Sequence, residues 1–252
     1  MSFLKNLQSS AAIKVEKDVI GGGSYLLESG VYDMTIDTAY FDTSKGGAIS
    51  LNLVLKGAGG ENLRQTIYMT SGTAKGCKNT YIDKRDGSTK YLPGFNTANA
   101  ICLLSNGEEM SEQEIDTKTL KLYDFTARKE TPQQKDVIMS LLGQDITVGV
   151  LKIIENKNEQ NAQGSYVPKS NGATRTSNEI DKVFRTSDQL TVSEINDGAT
   201  DAAFYAKWSD KNTGNTRDKS AAKAGEVADT QGASPMATAE ASSEPKKSLF
   251  GK

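Results

Sequence analysis

Rings and cations alternate in one stretch of this chain. Over residues 64–95, Arg64, Lys75, Lys78, Lys84, Arg85 and Lys90 are interleaved with Tyr68, Tyr81, Tyr91 and Phe95. Nucleobases offer flat apolar faces that stack on aromatic rings, at roughly 1–3 kcal/mol per base, while the phosphates between them meet Lys and Arg. The pattern is that of a surface for single-stranded nucleic acid. The same residues have a plainer explanation, with Tyr81 and Tyr91 in a core and Lys84 and Arg85 solvating a turn at DKRDG. Charge decides little when summed, because the net value is −2. It is informative locally: residues 61–100 hold six basic and three acidic side chains, and residues 101–150 hold five and nine.

Other chemistries find few groups to use. The chain has no histidine, which removes the commonest general base and metal ligand and every Ser-His or Cys-His nucleophile pair. Cys77 and Cys102 are the only cysteines. With no CxxC pair they fit free thiols in a reducing compartment better than a zinc site or a disulfide. Acidic residues at 108, 109, 112, 114 and 116 lack the Asp/Asn ladder and turn glycine of a calcium loop, and read as a solvated surface. The glycines at 21–23 and 46–47 do not have phosphate-loop spacing, so a hinge and a hairpin turn account for them. The expectation is a protein that is not an enzyme and has no cofactor. An enzyme using carboxylates and a divalent ion is the weakest of the alternatives, since nothing selects one carboxylate pair over another.

Strands must position the candidate residues. In VYDMTIDTAYF, Tyr32, Met34 and Ile36 alternate with Asp33, Thr35 and Asp37, the period of a half-buried strand. DTSKGGA, with Lys45, reads as a hairpin loop. Ile49, Leu51, Leu53 and Leu55, then Leu63, Ile67 and Met69, give two more strands. Together they predict a three-stranded meander with one apolar face, and Arg64, Thr66, Tyr68 and Thr70 form an exposed row on its other face. NTANAICLLSN predicts a short helix with an Asn or Thr cap, Ile101, Leu103 and Leu104 pointing inward. Ser111 to Glu114 predicts a short acidic turn and TLKLYDFTA a strand. Thr131-Pro132-Gln133-Gln134 matches a capping box with Pro at the first helical position, predicting a helix over QQKDVIMSLL that stops at Gly143. DITVGVLKIIEN predicts a strand, residues 157–176 a polar loop, and NEIDKVF, LTVSEI and AAFYAKW a closing hydrophobic remnant.

Apolar residues make up 36% of the 252, below the roughly 45–50% of a compact chain. The deficit has an address. Residues 209–252 are rich in Ala, Ser, Thr, Gly and Lys, with Phe250 their only aromatic, and too poor in apolar area to offset chain entropy. The chain therefore divides into an N-terminal segment and Gly hinge (1–24), a strand-rich body (25–208) and a disordered tail (209–252). Without a signal-like or membrane-length apolar run, a soluble cytoplasmic protein is expected.

The block ESGVYDMTIDTAYFDTSKGGAISLNLVL, followed by LRQTIYMTSG and YLPGFNTANAICLL, resembles the single-stranded DNA-binding proteins of lytic podovirus-type bacteriophages that carry a virion RNA polymerase. NEIDKVF and the terminal SLFGK add to the likeness, which covers residues 25–155 best. The resemblance implies a mainly β fold with a few short helices, arranged as an OB-like five-stranded barrel. It also implies coating of single strands in phage DNA replication and recombination, in the cytoplasm of the host bacterium alongside phage replication proteins. Activation of late transcription through the C-terminal tip on host RNA polymerase is implied as well. That tip departs from the acidic ends of bacterial single-strand binders: Leu249 and Phe250 lie beside Lys246, Lys247 and Lys252. The expected DNA contacts are Arg64 and Tyr68 on the sheet and Tyr81, Lys84, Arg85, Lys90, Tyr91 and Phe95 on the loops, with Lys45, Lys75 and Lys78 as weaker phosphate candidates. The alternative is a host-directed interaction factor whose aromatics contact protein instead of DNA.

Overall fold

A computed structural model describes residues 26–124, 127–161 and 166–220. The N-terminal segment with its hinge, and the tip residues Lys246, Lys247, Leu249, Phe250 and Lys252, lie outside the described residues. The described residues are mainly β, 47% strand and 20% helix, and among them there is no closed barrel.

In chain order the elements are β1 (Gly30–Thr43), β2 (Ile49–Gly57), β3 (Asn62–Tyr68), β4 (Thr80–Ile82), β5 (Thr89–Tyr91), α1 (Pro93–Asn106), β6 (Ile115–Asp124), β7 (Lys129–Ile138), β8 (Asp145–Asn156), β9 (Asn158–Gln160), β10 (Tyr166–Pro168), β11 (Thr174–Phe184), α2 (Val192–Asn196), α3 (Ala203–Asn212) and β12 (Thr216–Asp218). The main sheet runs β11-β8-β1-β2-β3, and β4–β5 and β9–β10 are separate hairpins. The expected meander is present as β1–β2–β3. Its inner face buries Met34, Ile36, Ala39, Leu51, Leu53, Leu55, Leu63 and Ile67. Burying such side chains contributes on the order of 1.5–3 kcal/mol each.

β1 does not keep one alternation along its length. Its pairing with β2 shifts register between Ile36 and Thr38, a β-bulge that adds one residue and re-aims the side chains beyond it. Met34 and Ile36 point to the core before it, and Ala39 after it, so Tyr40 joins the outer face instead of the inner one.

α1 covers the inner face, burying Ala98, Ile101, Cys102 and Leu104. It starts earlier than the sequence suggests, with Leu92 at the cap and Pro93 in the first turn. The short turn after α1 is capped from Glu109, which shares a capping box with Glu112. Thus Ser111 lies inside the turn and does not open it.

The predicted helix over QQKDVIMSLL is a strand as far as Ile138 and a single 3-10 turn at Met139–Leu141. Residues 129–138 form β7, paired with β6 through ten consecutive residue pairs from Asp124↔Lys129 to Ile115↔Ile138. The capping box is a local preference of about a kcal/mol, and a ten-residue antiparallel ladder outweighs it. Pro132 faces solvent opposite Lys121.

β8 is buried on both faces. Ile146, Val148 and Val150 join the main core, while Leu151 and Ile153 pack with Phe184 and Trp208 on the other side. α3 brings Trp208 so close to Gly149 that a Cβ there would meet ring carbons at 2.9 Å. The indole Nε1–H donates to Asp181 Oδ2 at 2.7 Å. Residues 209–220, which the sequence assigns to the tail, belong to the folded body: α3 runs to Asn212, and β12 pairs in parallel with Lys152–Ile154, past Val150 where the β1 pairing ends. The polar stretch at 157–176 also carries structure, the hairpin β9–β10 and the start of β11. No helix among the described residues is long and apolar enough to cross a membrane.

Candidate functional site

The outer face of the meander is polar. Cross-strand neighbours share a face, so the register places Tyr40, Asn52 and Thr66 side by side, and Thr38, Val54 and Arg64 in the next row. Thr66 Oγ1 donates to Asn52 Oδ1 at 2.7 Å. Above this face lies the two-stranded arm β6–β7, attached to β1 at Tyr40↔Val137 and by the ion pair of Lys135 with Asp42 at 2.9 Å. Arm and sheet enclose an open groove of about 490 Å³, with Tyr40, Asn52 and Arg64 on its floor and the half-buried Leu120 and Leu122, beside Lys121, Tyr123 and Glu130, on the arm side.

Arg64 and Lys121 make no ion pair with any described residue, so both cations are available to a ligand. Lys56 is different, because it is bound to Asp37 at one end of the groove. That ammonium, with the Thr38 hydroxyl, holds the Asp37 carboxyl below its ordinary range against the opposing effect of burial. Burial pushes the Tyr40 phenol up, Asp42 adds to this, and Arg64 opposes it. The phenol is therefore neutral and presents a ring with a hydroxyl. The groove offers the Tyr40 ring, an Arg64 guanidinium with no ion pair among the described residues, and a hydrogen-bonding floor.

Among the predicted contacts, Arg64 lies in this groove and Tyr68, 53% exposed, continues the same row toward the end of β3. The loop residues fall elsewhere. Tyr81, Lys84, Arg85, Lys90 and Tyr91 sit on the β4–β5 hairpin, where Tyr81 pairs with Lys90 and Thr80 with Tyr91. Tyr81 and Tyr91 consequently project from opposite faces and cannot stack on one strand side by side. Tyr91 packs on Phe95, with ring centroids 5.0 Å apart. Phe95 is half-buried on α1 against the core. Lys90 is held by Asp83 at 2.6 Å and Asp86 at 3.2 Å. The Ser88 hydroxyl and N–H, with Lys90, hold the Asp86 carboxyl down at about 2. Lys84 and Arg85 are exposed at the hairpin tip without ion pairs to described residues. Lys45 lies in the β1–β2 turn, and Lys75 and Lys78 flank an exposed Cys77 in the segment after β3.

Sequence reasoning misses Tyr40, Lys121 and Tyr123. Lys121 and Tyr123 are visible as the polar alternates of LKLYD, but their approach to the sheet is a tertiary event. Tyr40 is hidden by the bulge. Tyr166, the most exposed aromatic among the described residues at 72%, also escapes, because its segment reads as loop.

The acidic run has structural roles. Glu109 and Glu112 cap their turn, and Asp116 pairs with Lys118. No group of three His, Cys, Asp or Glu side chains among the described residues is placed to hold a metal ion. The thiols are both free, Cys102 buried and Cys77 exposed.

No family model and no curated protein matches the chain.

Proposed function

We propose that the protein binds single-stranded DNA across the outer face of β1–β3, beneath the β6–β7 arm, and acts by holding the strand extended. One observation carries the reading: Arg64, without an ion pair to any described residue, shares an open groove with the ring of Tyr40 and the hydrogen-bonding side chains of Asn52 and Thr66. Bases stack on rings and phosphates meet the cations, with no group required to transform the ligand.

The strand order supports the same reading. β1 lies between β2 and β8 with β11 outside β8, and the two far edges approach where the Ile180 N–H donates to Gln65 Oε1 of β3 at 3.3 Å. Taking β1, β2, β3, β8 and β11 as five strands, with α1 and the arm inserted between the third and fourth, we read the arrangement as an OB-like, partly open Greek key. In that architecture the face of the second and third strands takes oligonucleotides. Here that face carries Asn52, Arg64, Thr66 and Tyr68. In the setting the resemblance implies, the coated strand serves phage replication and recombination, and the basic-aromatic tip serves transcription by host RNA polymerase.

Titration with oligo-dT at two salt concentrations, followed by tyrosine fluorescence, tests the proposal. Trp208 is buried on the far side of the sheet and stays silent. Quenching with a log-log salt slope of about −0.7 per phosphate contact is expected. Absence of binding at low salt rejects DNA binding and favours the protein-interaction alternative. Deleting residues 243–252 is expected to spare DNA binding and abolish stimulation of the polymerase, and stimulation left intact refutes the role of the tip.

A further inference from the structure

A second concavity, about 590 Å³, opens where the β1–β2 turn meets the segment after β3, and its floor is apolar: Phe41, Ile49, Met69 and Phe95. Ile49 is 38% exposed, more than a side chain in a closed core would be. The rim is basic. The β1–β2 turn and the 72–77 segment interlock through a backbone bond, Thr73 N–H donating to Gly46 O at 2.8 Å, and a side-chain bond, Cys77 Sγ–H donating to Gly47 O at 3.3 Å. Gly47, at φ 78°, leaves room that a Cβ would take from Thr73 Oγ1 at 1.9 Å. This junction draws Lys45 to the segment that carries Lys75 and Lys78, three exposed lysines with no ion pair to any described residue. Asp136, the single carboxylate of the lining, already accepts from Thr117 Oγ1 at 2.8 Å.

The pocket lies past the end of β3. Arg64, Thr66 and Tyr68 succeed one another along the outer face of that strand, and Thr70, two residues further on, lines the pocket. At about 3.4 Å per residue the path from Arg64 to Thr70 is about 20 Å, no more than about six nucleotides even at the 3.4 Å spacing of stacked bases.

We propose that this pocket is a second DNA subsite, taking one unstacked base of a strand that leaves the groove along β3, with its flanking phosphates on Lys45, Lys75 and Lys78. Apolar walls match a base, the carboxylate of Asp136 excludes a phosphate from the interior, and the lysines outside meet the backbone charge. The inference rests on the proposed binding of single strands by the outer face.

The test is fluorescence anisotropy with 5′-labelled oligo-dT of 4 to 16 nucleotides, for the wild-type protein, Ile49→Glu and Lys78→Glu. Wild-type affinity is expected to gain at least about fivefold, the value of one stacked base, once the strand is long enough to reach from Arg64 past Thr70. Ile49→Glu removes that gain and leaves the shortest oligomers bound as before. Lys78→Glu, at an exposed side chain with no bonded partner among the described residues, does the same in part and keeps the test alive if Ile49→Glu fails to fold. Equal affinities of both variants and wild type at every length overturn the subsite while leaving the groove standing. Failure of the wild-type protein to bind any length overturns the groove reading and the subsite with it.

Discussion

Replacing Tyr68 by Ala separates the outer-face reading from its competitors. The ring is 53% exposed and stands opposite Ser50, away from the buried set of β3, so its loss opens no cavity. The cost to the fold is bounded by strand preference, at most about 1 kcal/mol. The cost to binding is that of one stacked base, about 1–3 kcal/mol, or roughly a 5- to 150-fold rise in Kd. Tyr68→Phe keeps the ring and is expected to bind within twofold of wild type. The measurement is an equilibrium titration of labelled oligo-dT, with a thermal melt of each variant to show that the fold is intact. Arg64 lies four residues away along the strand, about 14 Å, so the free-energy losses of Tyr68→Ala and Arg64→Ala should add. A Tyr68→Ala protein that melts like wild type and binds within twofold of it refutes the outer face as the track of the strand.

Arg64→Ala should also reduce the magnitude of the log-log salt slope by about 0.7 if one phosphate contact is lost, read by repeating the titration at several salt concentrations. Trp208→Ala leaves a cavity over Gly149 and takes the indole donor from Asp181, which keeps only Arg217, and is expected to destabilise the protein by about 3–5 kcal/mol in a denaturant melt without altering the groove. Burial pushes the Cys102 thiol up to about 12, so it stays protonated at pH 8. A thiol reagent should therefore modify exposed Cys77 rapidly and Cys102 only after denaturation. For Glu194, burial works against the charge, but the N–H groups of Thr191 and Phe204 outweigh it and hold the carboxyl below its ordinary range. The resulting stabilisation of the α2–α3 corner is complete above about pH 4.3 and lost as pH falls through the lower folded value. Amide exchange at Phe204 should accelerate on that acid limb, and Glu194→Gln should flatten it.

Legibility of the fold tracks the range of the interactions. β1–β3, β8 and the body of α1 are readable because each advertises its buried face through the period of its own apolar residues. β7 reads wrongly as a helix because Thr131 to Gln134 carry a helix-start signal, whereas the ladder that makes them a strand belongs to β6. The edge of the tail falls too early in the sequence because Thr216–Asp218 carries no apolar signal. It is a strand only because β8 has an unpaired edge beyond Val150.

The candidate site divides along the same line. Composition and pattern alone determined that this chain lacks histidine chemistry, that cations and rings concentrate between residues 64 and 95, and that Arg64 and Tyr68 share a solvent-facing row of a strand. Alternation is a property of the backbone and needs no partner to be read. The tertiary structure alone decided which rings meet which cations. A one-residue bulge turned Tyr40 outward, and a distant hairpin carried Leu120 and Leu122 over the sheet. Antiparallel register set Tyr81 and Tyr91 back to back, and interlocking loops gathered Lys45, Lys75 and Lys78. Convergence of side chains far apart in sequence depends on register and crossing, and neither is written in any local window of residues.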